Sequence, residues 1–176
     1  MRKALFLLGI LHDTDLDWLI AAGSRRDLDS GSVLIHEGSP VDAIFVVIDG
    51  QVAVRTKRTG DTNIACLRSG EIVGEMSFVD SKPPSASVLA IEPSVVLAIP
   101  RAALAAKLLD DVPFAARFYR SLAVFLSDRL RTTVSQLGYG TGVERERDDE
   151  VDPETLDHVS LAGARFDWLH KRLKEI

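Results

Sequence analysis

The chain has 176 residues, 46% of them hydrophobic and 27% charged, with a formal net charge of −5; that is enough for one ordinary core with a small appendage. Ten acidic and six basic side chains fall within residues 144–176, so the remainder is close to neutral and leaves no basic stripe for nucleic-acid phosphates. The single cysteine, Cys66, excludes an intrachain disulfide, and inside Ile64-Ala65-Cys66-Leu67 it reads as a buried, inert thiol in a reducing compartment.

At the start of the chain, Arg2 and Lys3 followed by the apolar run Ala4 to Leu11 imitate a short signal peptide. The run stops at His12-Asp13 without a small-residue cleavage site. No later stretch approaches the roughly 20 apolar residues of a membrane span, so a cytoplasmic protein without membrane insertion is expected. Asp13 can cap a helix with Thr14 and Asp15 in its first turn, Leu16, Leu19 and Ile20 on one face, and Gly23 at its end.

Short, β-branched runs punctuated by glycine follow. Val33 to Ile35, Ala43 to Ile48, Val52 to Arg55, Ile64 to Leu67, Ile72-Val73, Ser85 to Ala90 and Val95 to Ile99 are each of strand length. Gly31, Gly38, Gly50, Gly60 and Gly70 fall at the spacing of an antiparallel sandwich or barrel. Asp49-Gly50 between two such runs is a tight-hairpin signal.

From Arg101 the texture becomes helical. Ala102 to Leu109 is rich in Ala and Leu, and Asp110-Asp111-Val112-Pro113 restarts a second helix with proline in its first turn. That helix carries Phe114, Phe118, Leu122, Leu126, Leu130, Val134 and Leu137 at spacings of four and three, widened by Tyr119, Ala123 and Phe125. A face so wide suits two partners, the β-domain and a second copy of the helix. Residues 141–154, TGVERERDDEVDPE, read as a solvated linker. Beyond it, Val159, Ala162, Phe166, Leu169, Leu173 and Ile176 form an a/d stripe on a tail helix, which must dock on this domain, a second subunit or another partner. The expected organisation is a domain over 1–138 including a long dimerisation helix at 113–137, a linker over 139–155 and the tail helix over 156–176.

The chemistry concentrates in Gly70 to Ala90, GEIVGEMSFVDSKPPSASVLA. A helix entered at Gly74-Glu75 just after the strand Ile72-Val73 points backbone N–H groups at the preceding region, and glycine allows close approach of an anion. Glu75 would repel a phosphate and makes sense as an acceptor for a sugar hydroxyl. Ser85 could donate its hydroxyl to the same anion.

Gly31, Leu34-Ile35, Glu37-Gly38, Asp42, the run Ile44 to Ile48, Asp49-Gly50 and Val52 resemble the first half of a cyclic nucleotide-binding domain, as in the catabolite activator protein family. GEIVGEMSFVDSKPPSASVLA looks like that family's phosphate-binding cassette. The resemblance covers about residues 5–137 and implies a mainly β fold with flanking helices: an eight-stranded antiparallel β-roll of jelly-roll type, with an N-terminal helix, two C-terminal helices and here an extra tail helix. It implies cyclic AMP or cyclic GMP as ligand, held by Gly74, Glu75, Met76, Ser85 and Ala86, with Glu75 on the ribose 2′-hydroxyl. The family's phosphate-pairing arginine falls on Pro84. Lys82 and Arg68 are the candidate substitute charges, though neither is a planar fork in the right place.

The helix-turn-helix that often follows such a domain is not visible after Leu137, where Gly138-Tyr139-Gly140-Thr141-Gly142 opens a charged run. The opening ALFLLGILHDTDLDWL, the cassette with PPSAS, the segment FAARFYRSLAVFLSDRLRTTVSQLGYG and the tail LAGARFDWL together resemble a bacterial group of cyclic nucleotide-binding-like proteins associated with bacteriocin-type transport systems. This implies a protein partner in an export system. A cupin-type metalloenzyme is disfavoured because His12, His36, His158 and His170 are scattered, with only His36 in the β-region. No Ser-His-Asp or Cys-His arrangement suggests catalysis. The expectation is a non-enzymatic, homodimeric regulatory module without metal or cofactor, its ligand binding weakened or altered by Pro84; the alternative is a dimerising interaction scaffold that binds nothing small.

Overall fold

The run Ala43-Ile44-Phe45-Val46-Val47-Ile48 contains no polar residue and no alternation, which in a strand means that both faces are covered. The computed structural model, which describes residues 9–58, 60, 62–136 and 153–174, shows what covers them. Its elements in chain order are α1 (Asp13–Ala22), β1 (Ser24–Leu28), β2 (Val33–Ile35), β3 (Ala43–Asp49), β4 (Gln51–Arg55), β5 (Ala65–Arg68), β6 (Ile72–Val73), α2 (Glu75–Asp80), β7 (Ser87–Ala90), β8 (Ser94–Pro100), α3 (Arg101–Asp110), α4 (Val112–Gln136) and α5 (Pro153–Lys174). Among the described residues the eight strands form two four-stranded antiparallel sheets, β1-β8-β3-β6 and β2-β7-β4-β5. The expected β-roll with flanking helices is the observed fold.

Phe45 and Val47 of β3 point between the sheets, where they meet Val52, Leu67, Val73, Val88, Val96 and Ala98. Ile44, Val46 and Ile48 point the other way, with Leu97 and Ile99 of β8, into a second core built by the helices. Phe114, Phe118 and Phe125 anchor α4 there, each at most 3% exposed; at about 2 kcal/mol or more per buried side chain of this size, the first half of α4 is fixed to the roll. Phe166, Leu169 and Leu173 of α5 enter the same core. Arg165 ties α5 to α1 by donating to Asp13 Oδ1 and to the Leu11 carbonyl, both at 2.7 Å. No helix among the described residues is long and apolar enough to cross a membrane.

Several expectations change. Asp49-Gly50 is not a hairpin, because β3 pairs with β6 and β8 while β4 pairs with β5 and β7. It is a corner between sheets, and Gly50 is required there: its φ is +81°, and a Cβ would lie 2.6 Å from the Pro93 carbonyl oxygen. Strand β1, SRRDL, carries no apolar alternation; its ladder to β8 runs from Ser24–Ala98 to Leu28–Ser94. Cys66 is exposed, not buried, because β5 is an edge strand that turns Leu67 inward and Cys66 outward. On α4, Phe118, Leu122 and Phe125 all belong to the chain's own core, while Tyr119, Leu130 and Val134 face outward at 49%, 64% and 39% exposure. Helix α1 starts one turn position earlier than Asp13 as cap: His12 is the cap residue and donates its backbone N–H to Asp15 at 2.8 Å. The signal-like segment up to residue 8, Leu137 and the linker as far as residue 152 lie outside the described residues.

Candidate ligand-binding site

Where β6 ends, the chain must turn sharply beside β3. Gly74 does so at φ +88°, and a Cβ there would sit 3.0 Å from the Ala43 carbonyl oxygen, so a side chain would be both strained and crowded. The short helix α2 follows and stops at Ser81, itself at φ +58°. Lys82-Pro83-Pro84 then leads to β7, and this segment is stitched to the turn after β2: Gly38 N–H donates to the Pro84 carbonyl at 2.8 Å, and Glu37 N–H donates to Ser87 Oγ at 2.9 Å. Between the two segments lies a cavity of about 260 Å³.

Its floor is aliphatic, built by Ile35, Val54, Leu67 and Val88. Gly74, Glu75, Met76, Ser85 and Ala86, named from sequence, all line it, although Met76 is 55% exposed. Pro84 also lines it. Of the two substitute charges, Lys82 lines the cavity but leaves its side chain 79% exposed, 3.7 Å from Asp80. Arg68 does not reach it: it borders a separate cleft with Asp49, Gly50, Ser69, Glu92 and Pro93.

Glu75 is only 2% exposed. Burial pushes its carboxyl above the ordinary glutamate range, and the Arg129 charge with the backbone amides of Glu75 and Met76 pulls against that. Arg129 comes from α4. One of its Nη atoms donates to Glu75 Oε1, the other reaches the Ile72 carbonyl at 3.4 Å, and the guanidinium lies 4.8 Å over the Phe125 ring. Sequence reasoning missed it: the partners are 54 residues apart, and the visible signal was only a cation one turn after Phe125.

A second overlooked arginine opens α3. Arg101 donates to the Ser77 carbonyl at 2.8 Å and to Ser81 Oγ at 3.0 Å, with its guanidinium over Phe78. It holds the carbonyl end of α2, where a cation is favoured by the helix dipole. Its sign was a basic residue in the first turn of a helix, where it gains nothing from its own dipole.

The site therefore offers an apolar slot, a buried carboxylate acceptor and a serine hydroxyl, connected by one arginine to α3 and by another to α4. The cyclic nucleotide-binding domain family matches residues 25–111. The cyclic AMP receptor protein of Thermus thermophilus is 33% identical over 69% of this chain. The chain covers 55% of that protein's length, and 35% of a second curated relative, a Pycsar effector of Xanthomonas perforans. A cyclic nucleotide-binding domain from Methylobacillus flagellatus superposes with a TM-score of 0.68 over 78% of this chain and 84% of its own, at 24% identity. The N-terminal domain of a transcriptional regulator from Streptomyces coelicolor gives 0.59 over 73% and 90%, at 30% identity. With its roll and these matches, residues 25–111 form a domain of the cyclic nucleotide-binding domain family.

Proposed function

We propose that this chain is a non-enzymatic regulatory module in which a cyclic nucleotide, bound weakly because Pro84 stands where the phosphate arginine is expected, biases the placement of α4. The observation that carries this reading is the buried Glu75 carboxylate in the cavity, joined by Arg129 to α4. In this mechanism the base lies on the aliphatic floor, Glu75 accepts from the ribose 2′-hydroxyl, and Ser85 with the Ala86 amide meets the phosphate. Movement of α2 on the ligand passes through Arg101 to α3 and so to α4. A ligand shifts that equilibrium only by its differential affinity for the two arrangements.

The outward face of α4, with Tyr119, Ala123 and Leu130, supports a homodimer formed through this helix. The resemblance to bacteriocin-type transport-associated proteins supports a cytoplasmic role beside an exporter, with a protein of that system as partner. The scaffold alternative has its own support: Lys82 and Arg129 are both ion-paired, and Glu75 already has an arginine partner.

Titration calorimetry with cyclic AMP and cyclic GMP tests the reading. A hydrogen bond to a charged group contributes roughly 1.5–3 kcal/mol, and 1.4 kcal/mol is about a factor of ten, so Pro84→Arg should tighten binding by about tenfold or more over a weak wild type. A folded Pro84→Arg variant that binds neither nucleotide would favour the scaffold.

A further inference from the structure

We propose that Arg129 of α4 supplies the guanidinium for the ligand's anionic group in place of the arginine absent at position 84, so that the long helix itself holds the ligand's charge. This rests on the reading of the cavity as a cyclic nucleotide site and adds the residue that meets the phosphate.

Among the described residues two cations line the cavity, Lys82 and Arg129. Lys82 carries its ammonium in solvent beside Asp80, where water and salt screen it. Arg129 has a side chain only 27% exposed, fixed over Phe125 and directed at the cavity wall. A guanidinium has five N–H donors in a planar fork. Among the described residues two of its nitrogens are engaged, one with Glu75 and one with the Ile72 carbonyl at 3.4 Å, a length at which little bonding remains. The fork therefore has donors left for an anionic oxygen while it keeps Glu75. Keeping it matters, because a buried carboxylate left without its partner is strongly destabilising.

The placement also decides what the ligand moves. Among the described residues Arg129 is the α4 residue on the cavity wall. The half of α4 that precedes it is fixed by Phe114, Phe118 and Phe125, whereas Leu130 and Val134 beyond it face outward. An anion drawn onto Arg129 acts on the less anchored half of the helix, next to the face assigned to a second copy. An arginine at position 84 would instead keep the charge within the cassette.

Titration calorimetry with cyclic AMP at low and high salt compares wild type, Arg129→Gln and Arg129→Lys, with Pro84→Arg as the check that the cavity takes ligand. The expected result is a loss of tenfold or more in Arg129→Gln, a smaller loss in Arg129→Lys, and a reduction in Arg129→Gln of the weakening by salt that wild type shows. If Arg129→Gln does not fold, Glu75→Gln with Arg129→Gln replaces it, read against Glu75→Gln alone, since that pair leaves no buried carboxylate unpartnered. Equal affinities, or an affinity loss with the salt response unchanged, overturn the role of Arg129. If only Pro84→Arg binds, this inference fails and the cyclic nucleotide reading stands; if Pro84→Arg fails as well, both fall.

Discussion

Two buried carboxylates in this chain are held by arginines from the same helix, and burial acts on them with opposite net results. For Asp15, 3% exposed, burial favours the neutral acid, but the Arg117 hydrogen bonds at 2.7 and 2.8 Å and the His12 amide outweigh it and hold the carboxyl below its ordinary 3.8. For Glu75 burial wins and the carboxyl lies above 4.5. The stability signs follow from proton counting. The Asp15 contribution is present above pH 3.8 and is lost as pH falls through the folded value; the Glu75 contribution declines as pH rises from 4.5 through its folded value. Removing either partner of the Asp15 pair is not symmetrical. Arg117→Met leaves a carboxylate unpaired in the interior and should cost about 3 kcal/mol, whereas Asp15→Asn leaves Arg117, 23% exposed, able to reach water, and should cost about 1 kcal/mol. Denaturant unfolding at pH 7 measures the order, and the gap between wild type and Asp15→Asn should close below pH 3.8. Equal losses, or a gap that widens in acid, would contradict the assignment.

Helix α4 shows how far periodicity carries an argument and where it stops. Its apolar residues are spread too widely for one contact, and the structure divides them: Phe114, Phe118, Leu122 and Phe125 turn inward, Tyr119 and Leu130 outward. Light scattering should find a dimer at micromolar concentration, and Leu130→Asp should give a folded monomer, because it removes about 2 kcal/mol of burial per copy and places like charges together. A monomeric wild type would rule out the α4 seam. The division itself was not legible, since spacing identifies apolar faces but not their occupants. The same limit explains the Asp49-Gly50 corner: the turn signal was correct, but pairing is decided by which sheet edges the neighbouring strands occupy. Strand β1 was invisible because its polar residues gain order from the β8 ladder, not from a buried face of their own.

At the scale of the molecule, the roll, the glycine at the cassette entrance and the cavity-lining set Gly74, Glu75, Met76, Ser85 and Ala86 could be read from local spacing and from resemblance. The arginines that connect the cavity to the helices could not, because Arg101–Ser77 and Arg129–Glu75 are contacts across 24 and 54 residues between elements whose relative position only the packed core determines. Through those contacts, on the function proposed above, occupancy of the cavity is read by α3 and α4. Hydrogen–deuterium exchange on the wild-type protein, with and without saturating cyclic AMP, tests this. Altered exchange is expected in residues 75–86 together with residues 101–136. Protection confined to residues 75–86, with the helices unchanged while ligand is bound, would contradict it.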